Sequence, residues 1–196
     1  MGYRQSCMSR VLPIRTYGDP ILREPARPVA AITAEITALV ADMFVTMRAA
    51  QGVGLAAQQV GRTESVCVVE LPVSYDKEDD DGPRLNPDVP LALALVNPQI
   101  VEASRETCSL EEGCLSFPDI RGSVDRPWSI AVAHLGLDGQ SRQTRLQGFF
   151  ARAVQHEMDH LAGKLFVDRF SYVKKMAVRS KLKTLAHETI EKLHVT

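Results

Sequence analysis

Gln155-His156-Glu157-Met158-Asp159-His160-Leu161-Ala162-Gly163 is the stretch whose reading decides the fold. Two histidines stand four residues apart, with a glutamate directly after the first. In a helix four residues make a little more than one turn, so His156 and His160 project from one face, one above the other. Two imidazoles so placed suit one metal ion. Glu157 is rotated aside, where it reaches a water at the metal without being a ligand. The expectation is a hydrolytic metal site built on a helix over residues 148–162. Val154, Met158 and Leu161 form its apolar face, and Gly163 ends it as a C′ glycine. The competing reading is a surface helix whose polar residues happen to fall in this pattern.

Working outward, the segment before this helix alternates in hydrophobicity over residues 128–135 (WSIAVAHL) and 141–147, around Asp138-Gly139. That pattern predicts a β-hairpin. His134 lies among apolar residues and reads as a satisfied structural histidine rather than a ligand. Residues 91–97 and 99–107 read as strands broken at Asn97-Pro98, and residues 66–71 as a buried strand in which Cys67 is a small core hydrophobe. Residues 111–118 read as irregular. Residues 75–90 carry Asp76, Glu78, Asp79, Asp80 and Asp81 with several Gly and Pro, and read as a solvated loop with scope for motion. A calcium loop is the sharper alternative there, but its spacing and terminal Glu are missing.

Gly18-Asp19-Pro20 signals a turn. Thr33 can cap a helix with Glu35 in its first turn. Ile36, Leu39, Val40, Met43, Phe44 and Met47 then follow helical spacing up to a stop near Gly52. The methionines read as core filler. Gly52-Val53-Gly54-Leu55-Ala56-Ala57-Gln58-Gln59-Val60-Gly61 is either a backbone that passes close to a ligand or a tight helix-to-strand connection. Residues 171–193 predict a second amphipathic helix. Lys174, Lys175, Arg179, Lys181 and Lys183 crowd its solvent side, a solvated face whose alternative is docking to ribosomal RNA.

At 196 residues the chain suits one domain, and its net charge of −1 argues against bulk capture of DNA or of a membrane surface. No apolar run of about 18 residues is present to span a bilayer. The first fifteen residues carry arginines without an apolar core, so they do not read as a secretory signal, although a short organellar presequence stays open. Such a chain does not need disulfides to hold its core. Its four cysteines are expected to be reduced thiols in a cytoplasm.

Two histidines leave a metal site incomplete, since catalytic sites of this type have three protein ligands plus water. One protease pattern, H-E-x-x-H-x-x-G-x-x-H, is met at Gly163 but fails at its last position, which is Phe166. A protease that takes a Glu from a later helix has only Glu188 and Glu191 to offer. A closed structural site would need a fourth protein ligand. Cys114, in a loop-like setting between Gly113 and Leu115, is the remaining strong candidate. A thiolate with two imidazoles suits a divalent transition metal.

The segments Gly52-Val53-Gly54-Leu55-Ala56-Ala57-Gln58-Gln59, Glu112-Gly113-Cys114-Leu115-Ser116 and Gln155-His156-Glu157-Met158-Asp159-His160 resemble, in order, the three signature motifs of peptide deformylase. With residues 121–127 and 148–169 the resemblance covers most of the chain. The departures are the acidic loop 75–90, which leaves the substrate rim open, and Phe117-Pro118-Asp119; neither touches a ligand. The resemblance implies removal of the formyl group from the N-terminal formyl-methionine of newly made polypeptides. It implies metal ligands Cys114, His156 and His160, with Fe2+ expected and Zn2+ or a similar ion as the alternative. Glu157 would be the general base, and the backbone N–H of Leu115 with the Gln59 side chain would stabilise the oxyanion. Val53, Gly54, Glu112 and Gly113 would hold the peptide, with Val53, Phe149 and Ala153 walling an apolar pocket and Arg121 as a further contact. The expected architecture is α+β. Short, mostly antiparallel strands surround the metal-binding helix, and the first and last helices pack outside. One catalytic domain would span residues 1–196, with 1–10 flexible and 168–196 the C-terminal helix.

Overall fold

A computed structural model describes residues 9–195, with side chains for residues 9–194. In chain order its main elements are α1 (Ala34–Ala49), β1 (Gly54–Ala56), β2 (Val66–Glu70), β3 (Ala92–Ala103), β4 (Thr107–Cys114), β5 (Phe117–Pro127), β6 (Ser129–Leu135), β7 (Ser141–Gln147), α2 (Gly148–Leu161) and α3 (Tyr172–Val195). The expected flexibility of residues 1–10 falls mostly outside the described residues. Arg10 is held by a backbone N–H donated to Asp42 Oδ1 at 2.9 Å.

α1 forms where the periodicity places it. Thr33 Oγ1 accepts the Ile36 N–H at 3.3 Å, and Ile36, Leu39, Val40, Met43 and Met47 are buried. They pack on Val66 and Val68 of β2 and on Leu55. The opposite face of β2, Cys67 and Val69, packs with Phe150, Ala151 and Val154 of α2. β2 is therefore covered on both sides, which is why it reads as a continuous apolar run rather than an alternating one. Phe150 and Val154 are fully buried, each contributing about 1.5–3 kcal/mol of apolar burial.

The five-stranded sheet runs β1-β2-β3-β6-β7, every neighbouring pair antiparallel. β6 and β7 form the predicted hairpin. The expected break at Asn97-Pro98 is instead a bulge within one strand, with register shifts after Val96 and after Ile100. Asn97 takes φ +51°, a left-handed conformation that asparagine tolerates. Its side chain accepts the Val29 N–H and donates to the Val29 carbonyl, both at 2.8 Å, so the strand bends without stopping.

Residues 111–118, expected to be irregular, are the closed end of a second hairpin. β4 pairs with β5 through Gly113↔Arg121, then shifts register to Cys114↔Phe117. Phe117, Ile120 and Val124 of β5 pack with Leu165, Phe166, Phe170 and Val178 in a separate core. The helix α2 thus lies between the sheet and this hairpin, with α1 and α3 outside, as the α+β expectation had it. Residues 75–90 are corrected more sharply. The loop is solvated over its acidic tip and much of its rim, but Asp76, Asn86 and Val89 are buried. The Asp76 carboxylate accepts from Arg84 Nε at 2.7 Å and from Asn86 Nδ2. A buried carboxylate is retained only when so paired, and composition alone does not reveal the pairing. Among the described residues no helix is long and apolar enough to cross a membrane.

Candidate active site

The helix α2 presents His156 and His160 side by side, ring centroids 5.2 Å apart. Both are buried, as is Glu157. The register shift at the tip of the β4–β5 hairpin aims Cys114 at them, and its Sγ stands 3.2 Å from His160 Nε2. One ligand atom from each of Cys114, His156 and His160 lies within 4.8 Å of the other two, the one such His/Cys/Asp/Glu cluster among the described residues. Phe166, at the position a protease would fill with histidine, packs its ring on His156 with centroids 5.7 Å apart. Glu188 and Glu191 lie on the exposed side of α3 and take no part.

The donor set fits a divalent transition metal by its chemistry. Electrostatics agrees. Burial lowers His160 to about 3, so it stays neutral. Burial would also lower His156, but the Cys114 sulfur and Glu112 outweigh it and raise the ring to about 10. The pocket between the Cys114 sulfur and the imidazoles therefore favours a positive charge, whether a proton or a metal ion supplies it. His156 Nδ1 is 2.9 Å from Glu112 Oε2, which leaves its Nε2 for the cluster. A carboxylate behind a ligating histidine fixes its tautomer and raises its basicity.

Glu157 is the second feature. Its Oε2 is buried with no hydrogen-bond partner among the described residues. Burial raises its carboxyl to about 7, against the pull of His156 and Arg126. A general base works best with a pKa near the working pH. Its Oε1 lies so close to β1 that a Cβ on Gly54 would come within 2.3 Å of it. Gly54 leaves the room that the Glu157 side chain occupies, and residues 50–53 join α1 to β1 beside it. Gln59 follows in a short 3-10 turn, Ala57–Val60. Its Oε1 accepts the Ala56 N–H at 2.8 Å, which turns its amide N–H groups towards Ser116 Oγ at 3.2 Å and Cys114 Sγ at 3.5 Å. Gln59 thus reaches the site as a donor beside Leu115.

A cavity of about 790 Å³ opens over these groups, lined by Val53, Gly54, Gly113, Phe149, Ala153 and Arg121 among others. Arg121 is exposed and lies 3.9 Å from Glu111. His134 and Cys67 stay out of the site: His134 Nε2 meets Thr144 Oγ1 at 2.9 Å, and Cys67 is fully buried in the core beneath α2.

Glu112, expected as a peptide-holding residue, sends its side chain inwards. Arg126 donates to it twice, Nε to Oε1 at 2.6 Å and Nη2 to Oε2 at 2.9 Å, and Arg152 Nη1 adds a third bond at 2.6 Å. Arg126 Nη1 then reaches Asp159 Oδ2 at 2.8 Å, and Asp159 is clasped from outside by Arg169 at 2.6 and 2.7 Å. A continuous ionic chain runs from His156 through Glu112, Arg126 and Asp159 to the surface. Sequence reasoning missed Arg126, Arg152 and Asp159. Arg152 carried a usable signal, because it precedes His156 by one helical turn and shares its inward face.

Burial would raise Glu112 and Asp159, but Arg126 and Arg169 hold both below the usual carboxylate range, and on the surface Arg23 does the same to Asp168. Such groups stabilise the fold above their unfolded pKa of about 4 and lose that contribution as pH falls through the lowered folded values. The midpoint of thermal unfolding, followed by circular dichroism, should therefore be flat above about pH 5 and fall steeply below about pH 4. A midpoint that holds to pH ~2 would contradict the ionic chain.

Comparison with known proteins agrees with this geometry. A family model described as Polypeptide deformylase matches residues 11–176. A peptide deformylase of Acinetobacter baumannii is 41% identical over 178 residues, 91% of this chain and 93% of that protein. A crystal structure of the Plasmodium falciparum peptide deformylase superposes with a TM-score of 0.78 at 35% identity, covering 89% of this chain and 95% of that one. The Met-Ala-Ser-bound structure of a class I type b peptide deformylase from Acinetobacter baumannii gives 0.73 at 43% identity, over 83% and 100%.

Proposed function

This chain belongs to the peptide deformylase family and is an enzyme of that activity, and on that footing we propose how its own residues perform the reaction. The substrate is the formyl-methionine end of a newly made polypeptide, and the products are formate and a free amino terminus. The observation that carries this reading is the meeting of Cys114, His156 and His160 within 4.8 Å, with the unpartnered Glu157 carboxylate on the same helix. Cys114, His156 and His160 would hold one divalent ion, Fe2+ by family habit, with Zn2+ as the alternative. Bound there, such an ion supplies Lewis-acid polarisation and acidifies water.

Glu157 takes the proton of the water that attacks the formyl carbon and hands it to the departing amine nitrogen. The backbone N–H of Leu115 and Nε2 of Gln59 donate to the carbonyl oxygen as negative charge gathers on it. One such donor is worth about 3 kcal/mol of transition-state stabilisation. Val53, Gly54, Glu112 and Gly113 hold the peptide backbone. β1 is an edge strand of the sheet, which supports pairing along its open side. The Met-Ala-Ser bound to the Acinetobacter relative supports a peptide beginning with methionine as the occupant of this cleft. Residues 1–196 act as one catalytic domain, since α2 contributes to the packing on both of its sides. The exposed Lys175, Arg179, Lys181 and Lys183 of α3 support contact with ribosomal RNA, and the setting is cytoplasmic.

The test pairs formyl-Met-Ala-Ser with its unformylated counterpart. Formate release from the first and no internal cleavage of the second is expected; internal cleavage would instead make the chain an endopeptidase. Cys114→Ala should lose most of its metal when metal content is measured on purified protein, and unchanged metal would remove Cys114 from the ligand set.

A further inference from the structure

The chain departs from its family resemblance most in residues 75–90, and the structure places one end of that loop at the cavity. Tyr75 lines the same cavity as His156 and Glu157. Its ring meets Phe149 edge-on, centroids 5.2 Å apart at 72°. Phe149 is one wall of the apolar pocket beside His156, and Tyr75 extends that wall outwards. We propose that Tyr75 is a specificity-determining residue, forming the outer wall of the pocket that receives the first side chain of the peptide; this rests on the deformylase reading.

A half-exposed aromatic on a loose loop would select nothing. This loop is tied. Asp76, the next residue, is fully buried and accepts from Arg84 Nε, while its backbone carbonyl accepts the Leu85 N–H at 2.7 Å. Arg84 Nη2 donates to the Val89 carbonyl at 2.6 Å, closing the loop on itself. Asn86 then clamps the loop to the start of α2: its Oδ1 accepts the Gln147 N–H at 2.9 Å and its Nδ2 donates to the Gln147 carbonyl at 3.2 Å. Leu85 lies so near Gly148 that a Cβ there would meet it at 2.7 Å. Phe149 is two residues beyond the clamp. Both aromatic walls are therefore set by one anchorage. A fixed apolar wall discriminates by size, typically about 10–200-fold for a misfitting group.

The experiment measures kcat/KM for formyl-Met-Ala-Ser and formyl-Phe-Ala-Ser, and the Kd of Met-Ala-Ser and Phe-Ala-Ser, on metal-loaded protein. Tyr75→Ala should lower the methionine-to-phenylalanine ratio by about 5-fold or more in both measurements, by opening the pocket. Tyr75→Trp should raise it by about 2-fold or more, by narrowing the pocket. Tyr75 is 50% exposed, so both variants should melt close to the parent. Ratios unchanged in Tyr75→Ala, or equal losses for both peptides, overturn the assignment. Binding is read apart from turnover. A chain that removes formyl groups with a Tyr75-independent ratio sinks this inference alone. One that binds both peptides with a Tyr75-dependent ratio but releases no formate supports the inference and sinks the deformylase reading.

Discussion

Glu157→Gln is expected to keep its metal and to lose about 10²–10⁴-fold in kcat on a formyl-methionine peptide. The substitution preserves shape, which matters at this position. Glu157 Oε1 sits against the Gly54 backbone, and a larger group would push β1 away from the helix. What the amide cannot do is accept a proton. The parent carboxyl, raised by burial to about 7, exchanges protons readily near neutral pH. Its Oε2 has no competing hydrogen bond among the described residues. The neighbouring buried carboxylates, Glu112 and Asp159, are both held by arginines. The check is kcat measured beside metal content on the same preparation. A metal-replete variant within about 10-fold of the parent would falsify the base assignment.

Arg126→Met should cost about 3–5 kcal/mol of folding stability, read from urea unfolding of the metal-loaded protein. Arg126 is 1% exposed and is the shared cation of Glu112 and Asp159. Its removal leaves two buried carboxylates facing each other with only Arg152 and Arg169 at their far sides. Methionine fills much of the volume, so the loss reports charge rather than a cavity. A second effect follows through His156. Glu112 orients that ring by the bond to Nδ1, and loss of such an outer partner typically weakens metal binding by about 10–100-fold. Arg126→Lys is not a mild control, since an ammonium cannot span Glu112 in a fork and reach Asp159 as well. A variant as stable as the parent, with parent metal affinity, would mean that the ionic chain is ornamental.

The parts of the molecule legible in the chain are those set by neighbours a few residues away. α1 is readable because Ile36, Leu39, Val40, Met43 and Met47 recur at helical spacing behind a Thr33 cap, and the β6–β7 hairpin because alternation flanks Asp138-Gly139. The loop 75–90 is misread for the opposite reason. Its acidic residues look alike in sequence, yet Asp76 is buried against Arg84 and Asn86 while Asp79, Asp80 and Asp81 face water. The same ambiguity hides Glu112 and Asp159, whose partners come from β5, from α2 itself and from Arg169.

By itself the sequence determined that His156, Glu157 and His160 share a helix, since the spacing of Gln155-His156-Glu157-Met158-Asp159-His160 on a 3.6-residue period leaves no other arrangement for two ligands on one face. It also offered Cys114, His156 and His160 as candidate ligands, and through its three motifs indicated the family. Only the tertiary structure decided that the Cys114 sulfur comes to 3.2 Å from His160, because a register shift in the β4–β5 hairpin sets that aim. It alone decided that Glu112 turns inward to His156 and that Tyr75 stands at Phe149. The physical reason is range. Helical periodicity is enforced by hydrogen bonds over four residues, whereas the fate of a buried charge depends on which distant element supplies its counter-charge.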